Sequence, residues 1–219
     1  MRSIMSIALS SVFVAAALVA CGGSTASGGG GGTGTVSGAV SGTSFTPVSA
    51  FAAFQAAGSS TNCEVSPDGG SVCTASSSSG QALLIALTNQ AAGSCSALVA
   101  DITSKQEPSI ANLDALALIV ANEAADLTPG TYPVVTTGNP TSGSLGEFQT
   151  TTATCGVGVS QQSTGGSVTL TSVSASAVAG SYSVTFGTEG TLSGTFNVDI
   201  CAIPEGGLSD KVTSTGCTQ

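Results

Sequence analysis

The sequence predicts a mainly β fold, an antiparallel sandwich or barrel with one short helix and a framework of disulfides. Short runs rich in Val, Ile, Thr, Tyr and Phe alternate with polar residues at a period of two, and Gly, Pro, Asn and Ser separate them. One segment alone carries helical spacing. Seven cysteines stand in a chain with no tryptophan, so covalent loop closure supplements a core poor in large aromatic rings.

The elements follow in chain order. Thr35 to Val40 and Ser44 to Phe54 read as an opening hairpin. Ala82-Leu83-Leu84-Ile85-Ala86-Leu87 is a continuous apolar run of strand length, the pattern of a central strand buried on both faces, and Ala115 to Val120 is another. Between them, Ser94 to Lys105 holds Leu98 and Ile102 four positions apart behind Ser94 as an N-cap, which predicts the helix. Thr131 to Thr136 and Glu147 to Cys155 read as strands set off by Gly, Pro and Asn.

The clearest pattern lies near the C-terminus. Leu192, Gly194, Phe196, Val198 and Ile200 alternate with Thr191, Ser193, Thr195, Asn197 and Asp199, and Tyr182, Val184 and Phe186 alternate with Ser181, Ser183 and Thr185. Gly187-Thr188-Glu189-Gly190 has the chemistry of a hairpin turn between them. Val168 to Val173, rich in β-branched residues, adds a third strand to this meander. Gly130 to Val134 echoes Gly180 to Val184, but five residues of strand-entry composition do not make a repeat.

Residues 1–20 divide into Met1-Arg2, an apolar stretch from Ile4 to Ala17, and Leu18-Val19-Ala20, the three regions of a secretory signal. Ser6, Ser10 and Ser11 interrupt the stretch, which falls short of the roughly 20 apolar residues of a spanning helix. Leu18-Val19-Ala20-Cys21 resembles the lipobox of bacterial lipoproteins. That resemblance implies cleavage before Cys21, a lipid anchor on its thiol, and enough acyl chains for a stable hold on a membrane of the cell envelope. Gly22, rather than Asp, after the cysteine implies the outer membrane where the host has one.

Residues 21–34 are then the lipidated cysteine and a flexible Gly/Ser tether, and residues 35–219 a single all-β domain. The stretch from Gly166 to Cys201 is also similar to the C-terminal region of a group of uncharacterised Gly/Ser/Thr-rich bacterial lipoproteins, a resemblance that implies no activity.

With Cys21 assigned to lipid, Cys63, Cys73, Cys95, Cys155, Cys201 and Cys217 form an even set, as three disulfides require in an oxidising compartment. Cys63 with Cys73 and Cys201 with Cys217 are the local pairings, among others the spacing allows. No C-x-x-C occurs and the chain holds no histidine, which argues against zinc and iron–sulfur sites, and no cofactor or metal is expected.

The absence of histidine also removes Ser-His-Asp and Cys-His catalysis. Once the signal is removed, Lys105 and Lys211 are the basic side chains left, and neither stands in a Ser-x-x-Lys spacing. The chain carries a net charge of -9, which repels phosphate backbones and excludes nucleic acid as a partner.

Asp101, Glu107, Asp114, Glu123 and Asp126 crowd one region and offer carboxylate pairs of the kind glycoside hydrolysis uses. With Asn112 and Asn122 they also offer oxygen ligands for calcium, though no Asp-x-Asp-x-Asp-Gly loop is present. Gly28 to Gly34 neither follows a strand nor opens a helix and is no phosphate loop. The function expected is a membrane-anchored cell-envelope lipoprotein, a non-enzymatic binding or structural module for an envelope protein or polysaccharide. The alternative is a carboxylate-based hydrolase acting on cell-surface glycans.

Overall fold

The structure, a computed structural model, describes residues 32–56, 59–65, 71–77, 80–90, 106–136, 142–201 and 213–218. Among them the fold is mainly β and contains no helix. The strands are β1 (Thr33–Gly34), β2 (Ser37–Val40), β3 (Ser49–Ala56), β4 (Ser59–Val65), β5 (Ser71–Ser77), β6 (Gln81–Thr88), β7 (Gln106–Ile110) and β8 (Asp114–Asn122). After them come β9 (Gly130–Pro133), β10 (Ser142–Thr151), β11 (Val157–Gln162), β12 (Gly165–Val173), β13 (Ala177–Thr185), β14 (Gly190–Cys201) and β15 (Thr213–Thr218). The helix expected over Ser94 to Lys105 lies outside the described residues.

One large sheet runs in the order β11-β10-β8-β6-β3-β14-β13-β12-β9 and curls into a half-barrel, with β4–β5 and β7–β15 as separate pairs. The curl brings the β9 edge back to β10, one strand in from the other edge. Val134, just past β9, bridges Ser144 of β10, with Val135 N donating to Ser144 O at 3.0 Å and Ser144 Oγ to Tyr132 O at 2.8 Å. Inside, the two walls meet in one core: Leu83, Ile85, Leu87, Leu116, Leu118 and Phe148 from one side, Val168, Leu170, Val184, Leu192, Phe196 and Val198 from the other.

The C-terminal meander forms as the alternation predicts, β12–β13–β14 antiparallel, and Gly187 and Gly190 both take positive φ in the turn. β6 is buried on both faces: Leu83, Ile85 and Leu87 enter the core, while Leu84 and Ala86 are buried on the opposite side beside Phe51 and Ala53 of β3. β8, expected to match it, instead alternates. Leu116, Leu118 and Val120 are buried and the residues between them half-buried. β10 begins at Ser142, ahead of the expected Glu147, because its first residues pair with the far end of β8.

Three further expectations are corrected. The sheet is mixed rather than antiparallel throughout, since β14 pairs β3 in parallel at Ile200–Cys201, as β7 and β15 also pair. With 12 residues, β14 is long enough for one of its edges to serve β2, then β1, then β3. β2 and β3 likewise form no hairpin with each other. The connection between them crosses from one wall to the other, from Ser41 N on Glu189 O to Val48 N on Thr88 O, because Phe45 is drawn into the core. β1 also takes Thr33 and Gly34, read as the end of the tether, into the sheet opposite Asn197 and Phe196.

A candidate binding face

Several expected site residues, Cys21, Cys95 and Asp101 among them, lie outside the described residues. Cys63 and Cys73 stand directly opposite each other in the β4–β5 pair, and Cys217 stands beside Ser109 of β7. Cys155 occupies the turn after β10 at φ 60, and Cys201 ends β14, buried; both are disulfide-bonded. No bridge is seen with both of its ends among the residues whose side chains are described.

Among the described side chains the acids do not converge. Asp114 opens β8 and Glu123 follows its last residue, and the nine residues of the strand span about 30 Å of extended chain, whereas glycosidase carboxylates stand roughly 5–9.5 Å apart. Glu147, opposite Ala117, points to the outer face, while Asp114 shares the alternation of the core-facing Leu116 and Leu118. Glu123 is half-buried and Asp126 exposed at the far end of β8. No group of three or more His, Cys, Asp or Glu side chains gathers among the described residues in a way that could hold a metal ion.

Asp114 has a structural partner instead. Asn89 Nδ2 donates to Asp114 Oδ2 at 2.9 Å and to Asn112 O at 3.1 Å, and Asp114 N donates back to Asn89 Oδ1 at 2.9 Å. The exchange fastens the end of β6 to the start of β8, next to Asn112 at φ 55. Burial holds the Asp114 carboxyl above the usual range, and does the same for Glu147, half-buried on the outer face.

Sequence reasoning nominated no residue on the face that stands out. The inward residues of β12, β13 and β14 fill the core, so those between them look outward. The register aligns these across the sheet. Thr131 of β9 stands opposite Thr169, Thr169 opposite Ser181, and Ser181 opposite Thr195. Thr35 completes the row, its Oγ1 3.0 Å from Thr195 Oγ1 and accepting Thr195 N at 2.9 Å.

A second row runs Ser167, Ser183, Ser193, Ser37, and a third joins Thr185 to Thr191. Neighbouring hydroxyls touch at Thr131–Thr169 (3.1 Å) and Thr185–Thr191 (3.2 Å). All of these residues are exposed or half-exposed. Strands about 4.8 Å apart and alternate residues about 6.7 Å apart give the hydroxyls a two-dimensional repeat.

These rows contain no charged side chain. The nearest acids are at the margin, Asp199 opposite Ala177 and Glu189 in the β13–β14 turn, where it accepts Ser41 Oγ at 2.7 Å. Being the outside of a curled sheet, the face is convex. It offers donors and acceptors in equal measure, since each hydroxyl is both, and it supplies no nucleophile–base pair. The sequence signal was the run of Ser and Thr at alternate positions of β13 and β14; what joins them into rows is register, which pairs residues far apart in the chain.

No protein-family model, no curated protein and no solved structure matches this chain.

Proposed function

We propose that this protein is a lipoprotein of the cell envelope, anchored through Cys21, whose β-domain is a non-enzymatic binding module that uses the hydroxyl face of β9, β12, β13, β14 and β2 to hold an envelope component. The observation that carries the reading is the uncharged, register-aligned hydroxyl array on a chain otherwise strongly acidic. A face that bonds through many weak donor–acceptor sites suits adhesion to an extended partner better than capture of a small molecule, which calls for an enclosing pocket. The lipobox resemblance of Leu18-Val19-Ala20-Cys21 supports the address, and three disulfides among the remaining six cysteines suit it.

The mature protein purified from membranes should begin at an acylated Cys21 by intact mass, and Cys21→Ser should release it from the membrane fraction. For the face, the protein in detergent is incubated with delipidated cell-envelope material and sedimented. Wild type should sediment with the material, and the Ser181→Glu/Thr195→Glu double variant should stay in the supernatant while melting at the same temperature. Equal sedimentation of the two proteins would place the binding surface elsewhere.

A further inference from the structure

From the chemistry of the hydroxyl face we infer its ligand class: a neutral, hydroxyl-rich polysaccharide chain that lies along the face. The inference rests on the binding-module reading above and names what such a module would hold. Charge excludes the ionic classes. The chain carries 12 acidic side chains, yet the rows centred on Thr169, Ser181 and Thr195 hold none, and no cation takes their place. A polyanion would find no counter-charge there and would be repelled by the rest of the molecule, while a polycation would be drawn to the acids elsewhere rather than to this face.

Donor–acceptor matching favours the same ligand. Ser and Thr hydroxyls both give and take hydrogen bonds, and so do sugar hydroxyls, so a neutral glycan satisfies the array without leaving a buried polar group unpaired. Shape favours a polymer. A convex face encloses nothing, so a mono- or disaccharide gains few contacts, whereas a polymer repeats the same contact along several rows. The aromatic side chains of these strands, Tyr132, Tyr182 and Phe196, are all buried, so the face has no aromatic platform. Each contact is then weak, and retention comes from number, through the polymer's repeats and many anchored copies on one membrane.

The test uses the full mature protein in detergent, co-sedimented with insoluble neutral glucans (cellulose and cross-linked dextran) and with their carboxymethyl derivatives. Wild type, Thr195→Lys and Thr195→Glu are compared after matching their melting temperatures. The expected result is retention on at least one neutral glucan, undiminished at 1 M salt. Carboxymethylation should weaken it, and both variants should lose about tenfold in affinity, because either charge is left unpaired against a neutral ligand.

Opposite effects of the two variants, or retention on the charged derivative alone, would overturn the ligand class. Retention that neither variant weakens would overturn the site. Failure on every neutral glucan, with face-dependent sedimentation on envelope material intact, would sink the glycan inference and leave the binding face standing; loss of both would sink the two together.

Discussion

Tyr182 extends its hydroxyl past Gly194 to donate to Thr35 O at 2.9 Å, tying the interior of the meander to the incoming N-terminal strand. Burial and this bond keep the phenol neutral, its pKa well above the ordinary value. A Cβ at Gly194 would run into the Thr35 carbonyl oxygen and stand 2.9 Å from the Tyr182 hydroxyl. Gly194→Ala is therefore expected to lower unfolding stability by about 1–3 kcal/mol in urea titrations. Gly165→Ala, where a Cβ meets nothing within 4 Å, should change it little.

Glu147 makes the opposite kind of prediction. Burial raises its carboxyl pKa in the folded protein, so the folded state holds the proton more tightly than the unfolded chain. Stability then falls as pH rises from the unfolded value through the folded one, and stays lower at neutral pH. Glu147→Gln should melt higher than wild type at pH 7, and the difference should close as pH drops below the ordinary carboxylate range.

At the scale of elements, β6 and β8 pair along their length, and the Asn89 side chain ties off the end of that ladder. Asn89 serves the Asp114 amide, the Asp114 carboxylate and the Asn112 carbonyl, and its own N–H donates to Asp114 O at 3.1 Å. Asn89→Ala removes the first three bonds and leaves a partly buried carboxylate without its donor. The expected cost is about 1–3 kcal/mol, with faster hydrogen exchange at the Asp114 amide. If that amide kept its protection, the bond to Asn89 would not be what shields it.

β14 shows how an element outgrows its sequence pattern. Its alternation foretold a strand paired with β13, which it is, but its other edge is shared among β2, β1 and β3. Thr35 N donates to Thr195 O and Thr35 Oγ1 accepts from Thr195 N where β1 gives way to β2, so the edge stays satisfied across the break. This continuity brings Thr35 into the hydroxyl row.

Over the whole molecule, the two walls are held together by burial. Phe148 of β10 stacks on Phe45 from the β2–β3 connection, ring centroids 5.9 Å apart, and meets Phe186 from the end of β13 edge-on at 6.4 Å. These rings join three parts of the chain that share no strand pairing. Phe148→Ala is expected to destabilise by about 3–5 kcal/mol in denaturant unfolding, from lost burial and the cavity left behind. A cost below 1 kcal/mol would mean the walls collapse to fill the space.

The sequence by itself determined the mainly β class, the β12–β13–β14 meander with its Gly187–Gly190 turn, and the double-faced burial of β6. Each is written within a single strand or a single turn, where side-chain periodicity and glycine chemistry act locally. The curl, the parallel junction of β14 with β3, the crossing of the chain at Phe45 and the separation of Asp114 from Glu147 were decided by tertiary structure. So was the hydroxyl face. Alternating Ser and Thr were visible in each strand, but a row from Thr131 to Thr35 exists only because the sheet brings together residues from both ends of the domain, and no local pattern encodes the register that aligns them.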